Sequence, residues 1–198
     1  MTDSLTASVV KTLFSEELQK IKHFQYGPHL IAPAHFVVLA TRIHFFGTIA
    51  IKHSSTQSSP GQYLSDKNEL WFNFKKAETL PERAVVVHEA THAILDMNKA
   101  YLSVGDTETM AYVAQCQYAR ANNEEQGNRL EMRDHEGNLI PEEDDVFRFG
   151  WDIAGTLLSG GTPSQADYQQ LKNAVIGHPN YSENYAMQAK NDGIYAVG

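Results

Sequence analysis

The chain has 198 residues, of which 42% are hydrophobic, and its formal net charge is −8. This length and composition fit a single domain spanning residues 1–198 better than two domains. An acidic chain without a cluster of lysine and arginine repels phosphate backbones, so we expect no nucleic-acid partner. The most apolar stretch, residues 31–51, is interrupted by His35, Arg42 and His44, which makes it too polar to span a membrane.

The N-terminus and the cysteine content indicate the cellular compartment. Residues 1–8 contain Asp3 and no basic residue, which is not typical of a secretory signal. Cys116 is the one cysteine, so the fold requires no intrachain disulfide. We therefore expect a cytoplasmic protein, with export by a route that needs no cleaved signal as the alternative.

The first part of the chain predicts one helix and then several strands. Apolar residues recur at helical spacing over residues 5–22, which predicts an amphipathic helix. Residues 36–40 and 45–51 are rich in β-forming residues, and we interpret them as two strands. Residues 62–64 and 69–74 flank a polar turn and predict two more strands.

The second part of the chain is predicted to be mainly helical. Thr79-Leu80-Pro81-Glu82 has the form of a capping box with proline in the first turn, so a helix is expected to run from there to about Met97. A further helix is predicted over residues 107–121, and two more over 146–158 and 164–176. Residues 122–145 are polar and acidic and are interpreted as a surface excursion, and residues 178–198 as a tail. The acidic residues 142–145 fit a solvated loop or the start of the next helix better than a calcium site.

The helix that follows Thr79 carries His88-Glu89-Ala90-Thr91-His92. A spacing of four residues places both imidazoles on one helix face, close enough to reach one metal ion. Glu89 projects near the same face, where it can reach a water molecule without taking a metal position. The rest of this helix is almost wholly apolar, and two buried histidines and a glutamate would be costly without a partner such as a metal.

A catalytic zinc ion requires a third protein ligand and an open position. We predict Glu108 as that ligand, because a short connection makes the next helix pack antiparallel to the first and brings Glu108 back towards the imidazoles. Asp106 is the competing ligand. Glu124 and Glu125 are alternatives only if the second helix is badly misplaced.

The run from His88 to Asp96 resembles the active helix of gluzincins, zinc metallopeptidases whose third ligand is a glutamate on a following helix. Its H-E-x-T-H-A-x-x-D form is similar to the thermolysin-like branch, and Glu108-x-x-Ala111 is similar to the E-x-x-A pattern of several gluzincin families. The resemblance covers residues 69–115. In gluzincins, an acidic residue at the position of Tyr112 often supports a ligand histidine, and the chain departs from the family at this position. Asp96 fits either a supporting contact near the metal or the surface at the helix end.

The resemblance implies an α+β, zincin-like fold, in which a small, mainly antiparallel sheet packs on the metal helix and further helices complete the core. It also implies a metallopeptidase that cleaves a peptide or protein substrate with Zn²⁺ held by His88, His92 and Glu108. In that reading Glu89 takes a proton from the zinc-bound water and passes it to the leaving amine.

Such sites usually include a hydrogen-bond donor for the developing oxyanion. The first choice is the segment with His178 and Tyr181, because it follows a helix end where a loop could fold over the site. Tyr185 and Arg148 are further candidates. The competing functional class is a non-catalytic zinc-binding or interaction module, and Glu89 argues against it, because such a module needs no base beside the metal. A coincidental buried histidine pair is a further alternative, and a di-iron site would need a second E-x-x-H, which the sequence lacks.

Overall fold

Small sheets lie in the first part of the chain, and long helices dominate the rest. The structure is a computed structural model and describes residues 4–122, 141–178, 187–191 and 193, with residues 141–144 described by their backbone alone. Its helices are α1 (Ser4–Phe14), α2 (Glu16–Gln19), α3 (Pro33–Thr41), α4 (Leu80–Met97), α5 (Val104–Asn122), α6 (Pro141–Leu158) and α7 (Gln165–Gly177), and a π-helical turn (Arg42–Phe46) follows α3. Its strands are β1 (Phe24–Tyr26), β2 (His29–Ile31), β3 (Ala50–His53), β4 (Gly61–Leu64) and β5 (Glu69–Phe72).

The strands form two small sheets. β1 and β2 pair as an antiparallel hairpin, and the other three strands lie in the order β3-β5-β4. In this second sheet β5 is parallel to β3 and antiparallel to β4. The loop after β3 crosses the width of one strand before β4 begins, and β5 occupies the position between them. The predicted α+β class is confirmed, but the second sheet has one parallel and one antiparallel ladder instead of being mainly antiparallel. β4 is left at the sheet edge.

The predicted strand at residues 36–40 is wrong, since this segment is helix α3. Pro33 occupies the first turn of the helix, where its fixed φ favours helix and its missing N–H costs no hydrogen bond. The fully or nearly fully buried side chains are Phe36, Leu39, Ala40 and Ile43, which is helical spacing. The helical period is not visible in the sequence, because Val38, on the opposite face of the helix, is also apolar although it is 46% exposed.

Two other predicted boundaries are also corrected. The strand expected at 45–51 begins only at Ala50, because the π-helical turn continues to Phe46. The single helix expected over 5–22 is divided at Ser15. The Ser15 hydroxyl accepts a hydrogen bond from the Leu18 N–H and so caps α2 as a separate helical turn.

Helix α4 begins with the predicted capping box. The Thr79 side chain accepts a hydrogen bond from the Glu82 N–H, and the Glu82 carboxylate accepts one from the Thr79 N–H. The helix then runs through the protein core, where most of its side chains from Ala84 to Asp96 are buried. A long buried helix that carries His88, Glu89 and His92 is thereby held at a defined position against its neighbours.

Helices α4 and α5 pack against each other in antiparallel orientation, as predicted. Arg83, near the start of α4, donates to the hydroxyl of Tyr118, near the end of α5. Further along α4, His88 forms a hydrogen bond with Gln115, which lies earlier in α5. Helix α6 packs on α5, and α7 packs on both. This arrangement brings the early turns of α5 beside the later turns of α4.

The region between α5 and α6 is only partly described. Residues 123–140, and with them Glu124 and Glu125, lie outside the described residues. Residues 141–145, placed in the surface excursion by the sequence, form the first turns of α6. Across the described part of the chain, no helix combines the length and the apolar character needed to cross a membrane.

Candidate metal centre

His88 and His92 lie one turn apart on α4, and both direct their Nε2 atoms to the same point. The two Nε2 atoms are 3.2 Å apart. Both side chains are largely buried, with 9% and 16% of their surface exposed. Two imidazole nitrogens this close, turned towards each other inside a protein, have the arrangement of a ligand pair for one cation.

Glu108, in the second turn of α5, completes the cluster. Its Oε2 lies 3.2 Å from His88 Nε2, and its Oε1 lies 3.4 Å from His92 Nε2. In a tetrahedral site with metal–ligand bonds of about 2.0–2.2 Å, ligand atoms lie about 3.3–3.6 Å apart. The separations of 3.2, 3.2 and 3.4 Å, the last two to different oxygens of Glu108, are close to this range, so the three groups lie near enough to one another to share one ion. The predicted convergence of His88, His92 and Glu108 is confirmed, and these residues could hold a metal.

The charge state of Glu108 suits a ligand. Burial alone would raise the pKa of this carboxyl, but the neighbouring His92 and His88 outweigh burial and hold the pKa well below its usual range. The side chain is therefore an ionised carboxylate at neutral pH. A cation placed among the three groups would favour that ionised form further.

Asp106, the competing ligand, is engaged elsewhere. Its carboxylate accepts hydrogen bonds from Tyr26, Lys172 and Ser103. Burial would raise the pKa of Asp106, but these three contacts outweigh burial and lower it. The described residues that come together around a common point are His88, His92 and Glu108 alone.

Gln115 and Tyr112 support His88 from α5. His88 Nδ1 lies 2.8 Å from Gln115 Oε1, and a metal bound at Nε2 leaves Nδ1 as the N–H that donates to this amide oxygen. The Tyr112 ring packs edge-on against the imidazole, with centroids 4.7 Å apart. Tyr112 stands where the gluzincin pattern often has an acidic residue, and the hydrogen-bond partner of His88 Nδ1 is the Gln115 amide one turn further on. The sequence did not single out Gln115, although it lies two turns after Glu108 on the same helix face.

Replacing Gln115 with alanine is expected to weaken zinc binding by about 10- to 100-fold, because His88 loses the acceptor that fixes its ring and tautomer. The measurement is the zinc dissociation constant by competition with a chelator. Gln19→Ala, at an exposed glutamine on α2, is the control. Equal dissociation constants for wild type and Gln115→Ala would contradict the supporting role.

Glu89 lies beside the metal ligands and faces strand β4. The Tyr63 N–H donates to its carboxylate. A Cβ atom at Gly61 would lie 2.7 Å from Glu89 Cγ and from Val85 Cγ1, so the strand can approach the helix this closely only with glycine there. Burial is the main reason that the pKa of Glu89 is raised to about 7; the Glu108 carboxylate adds to the rise, while His88 and the Tyr63 N–H oppose it.

Ionisation of Glu89 is therefore expected to destabilise the metal-free protein as the pH rises through neutrality. The Glu89 carboxyl has an ordinary pKa of 4.5, and the fold raises this pKa to about 7. The folded state therefore binds this proton more tightly than the unfolded state does. As the pH rises from 4.5 to about 7, the loss of the proton lowers the contribution of Glu89 to the free energy of unfolding. Glu89→Gln avoids this cost and is expected to be more stable than wild type by on the order of 3 kcal/mol above pH 7, but not near pH 4.

Denaturant unfolding of both chains in the presence of chelator, at the two pH extremes, measures this difference. Comparing the variants at each pH cancels the contributions of the titrating groups that do not interact with Glu89. A stability difference that does not change with pH would contradict the buried, proton-binding state of Glu89.

Asp96 fixes the strand that contacts Glu89. The sequence left it open whether Asp96 supports the site or lies at the surface; it is fully buried. One carboxylate oxygen accepts from the Tyr63 hydroxyl at 2.7 Å and the other from the Gly193 N–H at 2.9 Å. Because the Tyr63 main chain in turn holds Glu89, Asp96 supports the site through the strand and not at the metal position.

The metal ligands and Glu89 open into a cleft of about 1080 Å³. Residues 56–63 line one part of it and residues 187–191 another, and His178 lines it at the end of α7. His178 is 4% exposed. Of the other predicted oxyanion donors, Tyr181 and Tyr185 lie outside the described residues. Arg148 pairs with Asp145 at 2.6 Å, its side chain is 44% exposed, and it is not among the described residues that line the cleft.

Comparison of the chain with models of protein families, with curated proteins and with solved structures found no match. What the chain shares with known metal sites is therefore the motif itself and the spacing of the three ligand groups. Those observations establish a group of side chains that could bind a metal ion.

Proposed function

We propose that this protein is a zinc-dependent hydrolase that cleaves peptide bonds, a gluzincin-type metallopeptidase with a zincin-like fold. The observation that carries the proposal is the position of Glu89. Its buried carboxylate lies beside three side chains that are close enough together to hold a metal ion, and all four residues line one cleft. A site that only binds metal needs the three ligands, but it has no use for an additional base.

The donor set favours zinc over the other common divalent cations. Two imidazole nitrogens and one carboxylate suit zinc, whereas calcium and magnesium prefer sites made of oxygen atoms. Three protein ligands leave one tetrahedral position open, as in catalytic zinc sites. Zinc held there supplies Lewis acidity towards a water molecule and towards a substrate carbonyl.

Glu89 is proposed to act as the general base and then as the general acid. Its carboxylate accepts a proton from the attacking water and later donates it to the amine that leaves. The Tyr63 N–H holds the carboxylate in place, and the absence of a side chain at Gly61 keeps the strand close. A bound cation would lower the pKa of Glu89 from its metal-free value of about 7 and so favour the ionised form, which is the form that accepts a proton.

His178 is proposed to stabilise the developing oxyanion. It is buried at the C-terminal end of α7 and lines the same cleft as the metal ligands. An imidazole N–H placed near the reacting carbonyl stabilises negative charge more strongly when water is excluded. Tyr181 remains a prediction for the same role, since it lies beyond the part of the chain that the structure describes.

The shape of the cleft favours a peptide or protein substrate. Its volume of about 1080 Å³ lies just above the range of about 300–1,000 Å³ that is usual for small-molecule pockets. Strand β4 lies at the sheet edge and lines the cleft. Extended peptides bind to edge strands through main-chain hydrogen bonds.

The test is digestion of a peptide library by the purified chain in three states: zinc-loaded, stripped with a chelator, and reloaded. Mass spectrometry of the products is expected to show cleavage in the first and third states and none in the second. If the zinc-loaded chain, verified by elemental analysis, cleaves neither the library nor unfolded protein substrates, the enzyme proposal is overturned and the non-catalytic zinc module takes its place.

A further inference from the structure

Asp106, the acidic residue that does not face the metal position, is the centre of a separate polar cluster. Its Oδ1 accepts hydrogen bonds from the Tyr26 hydroxyl and from Lys172 Nζ, each at 2.6 Å. Its Oδ2 accepts one from the Ser103 hydroxyl. The Asp106 and Lys172 side chains are 16% and 22% exposed. A carboxylate with three donors, mostly shielded from water, holds its partners more firmly than an exposed ion pair does.

The three donors come from three different parts of the fold. Tyr26 belongs to β1, Lys172 to α7, and Ser103 to the connection between α4 and α5. The Tyr26 ring also packs edge-on against Tyr168 of α7, with centroids 5.3 Å apart. The cluster therefore ties the start of α5 to the β1–β2 hairpin and to α7.

The start of α5 is where the third ligand lies. Glu108 is two residues beyond Asp106 and only four residues after the first residue of the helix. The first turn of a helix lacks intrahelical partners for its N–H groups and is prone to fraying. A metal site tolerates a displacement of only about 0.5 Å in its supporting groups. The position of Glu108 thus depends on the contacts that hold the start of the helix.

We propose that Asp106 is a positioning residue: through Lys172 and Tyr26 it fixes the first turn of α5 and thereby directs the Glu108 carboxylate to His88 and His92. This inference rests on the proposed metal centre. The same ion pair links the helix that carries Glu108 to α7, whose C-cap residue His178 lies six residues after Lys172. The Asp106–Lys172 pair therefore sets the distance between the third ligand and the proposed oxyanion donor.

The test compares zinc dissociation constants of the full chain, measured by chelator competition, for wild type, Asp106→Asn and Lys172→Met. Both changes keep the size of the side chain and remove the ionic link. Each is expected to weaken zinc binding by about 10-fold, the lower end of what outer supporting groups contribute. The double variant is expected to bind zinc no more weakly than the single variant with the larger dissociation constant, because both substitutions remove the same interaction. Tyr26→Phe provides a further variant if Asp106→Asn does not fold.

Ser164→Ala is the matched control. It removes the hydroxyl that accepts from the Asp167 N–H and so weakens the cap of α7 at the end away from His178. It weakens the first turn of α7 but removes no group of the cluster, and its zinc dissociation constant is expected to equal that of wild type. Cobalt-loaded protein provides a spectroscopic readout. Absorption typical of four-coordinate Co²⁺ is expected to be retained in Ser164→Ala and to weaken in Asp106→Asn.

Unchanged zinc and cobalt binding in Asp106→Asn and Lys172→Met would overturn the positioning role, as would equal weakening in Ser164→Ala. A wild-type chain that takes up no zinc would overturn both the metal centre and this inference. A wild-type chain that binds zinc but cleaves no peptide would overturn the peptidase proposal alone, and the dissociation constants would still decide the role of Asp106.

Discussion

Replacing Glu89 with glutamine is expected to reduce peptide hydrolysis by about 10²- to 10⁴-fold while zinc stays bound at close to one ion per chain. The amide has nearly the same shape as the carboxylate but cannot accept a proton from water at neutral pH. Its oxygen can still accept the hydrogen bond from the Tyr63 N–H that now holds the carboxylate. The ligand atoms of His88, His92 and Glu108 are untouched, so the loss is expected in kcat and not in metal content.

The measurement is the initial rate of cleavage of the best peptide from the library, with zinc content determined on the same samples. Glu16→Gln, at an exposed glutamate on α2, makes the same chemical change far from the cleft and is expected to cleave like wild type. Full activity of Glu89→Gln would show that another group serves as the base.

The second large effect is expected for Glu108→Ala, which should leave the purified protein almost free of zinc after dialysis. Two imidazoles remain, but the substitution removes the third ligand group and with it the one negative charge among the proposed ligands. A catalytic zinc site with two protein ligands is not among the stable arrangements. The effect should therefore exceed the 10- to 100-fold loss expected for an outer support such as Gln115.

Elemental analysis of dialysed wild type and Glu108→Ala measures this directly. Glu16→Ala also removes one carboxylate, but an exposed one, and is expected to retain its zinc. Circular dichroism of each chain establishes that the fold is present. Zinc retained at wild-type level in a folded Glu108→Ala would rule out Glu108 as the third ligand.

The ligand cluster could be predicted from the sequence because its geometry is mostly local. Helical periodicity alone places His88 and His92 on one face, and the capping box at Thr79 marks where that helix begins. Glu108 could be found because the connection between α4 and α5 is short, so the two helices pack antiparallel. The choice between Glu108 and Asp106 is decided by the tertiary structure, where Lys172 and Tyr26 hold Asp106 away from the imidazoles.

The supporting residues could not be predicted in the same way. Gln115 reaches His88 only because the two helices lie at a particular rotation about their axes, which the periodicity of either helix leaves open. Tyr63 and Gly61 contact Glu89 across a strand–helix interface. Contacts between elements depend on how all the elements pack together, and no local pattern encodes that.

The fold shows the same division between local and tertiary information. The helices from Thr79 onwards were predicted within a few residues, apart from the early starts of α5 and α6, because caps and apolar periodicity are local signals. The segment at 36–40 was misread because a continuous apolar run carries no clear period, and only burial on one face distinguishes α3 from a strand.

The sequence by itself determined a buried helix with two histidines and a glutamate at metal-binding spacing, and a second helix with a carboxylate able to reach them. The tertiary structure alone decided which carboxylate completes the cluster, which amide supports His88, and that β4 and the segment at 187–191 enclose the cleft. The physical reason is distance along the chain. Helical spacing and capping act over a few residues, whereas the contacts that position Glu89 and Glu108 join segments separated by tens of residues.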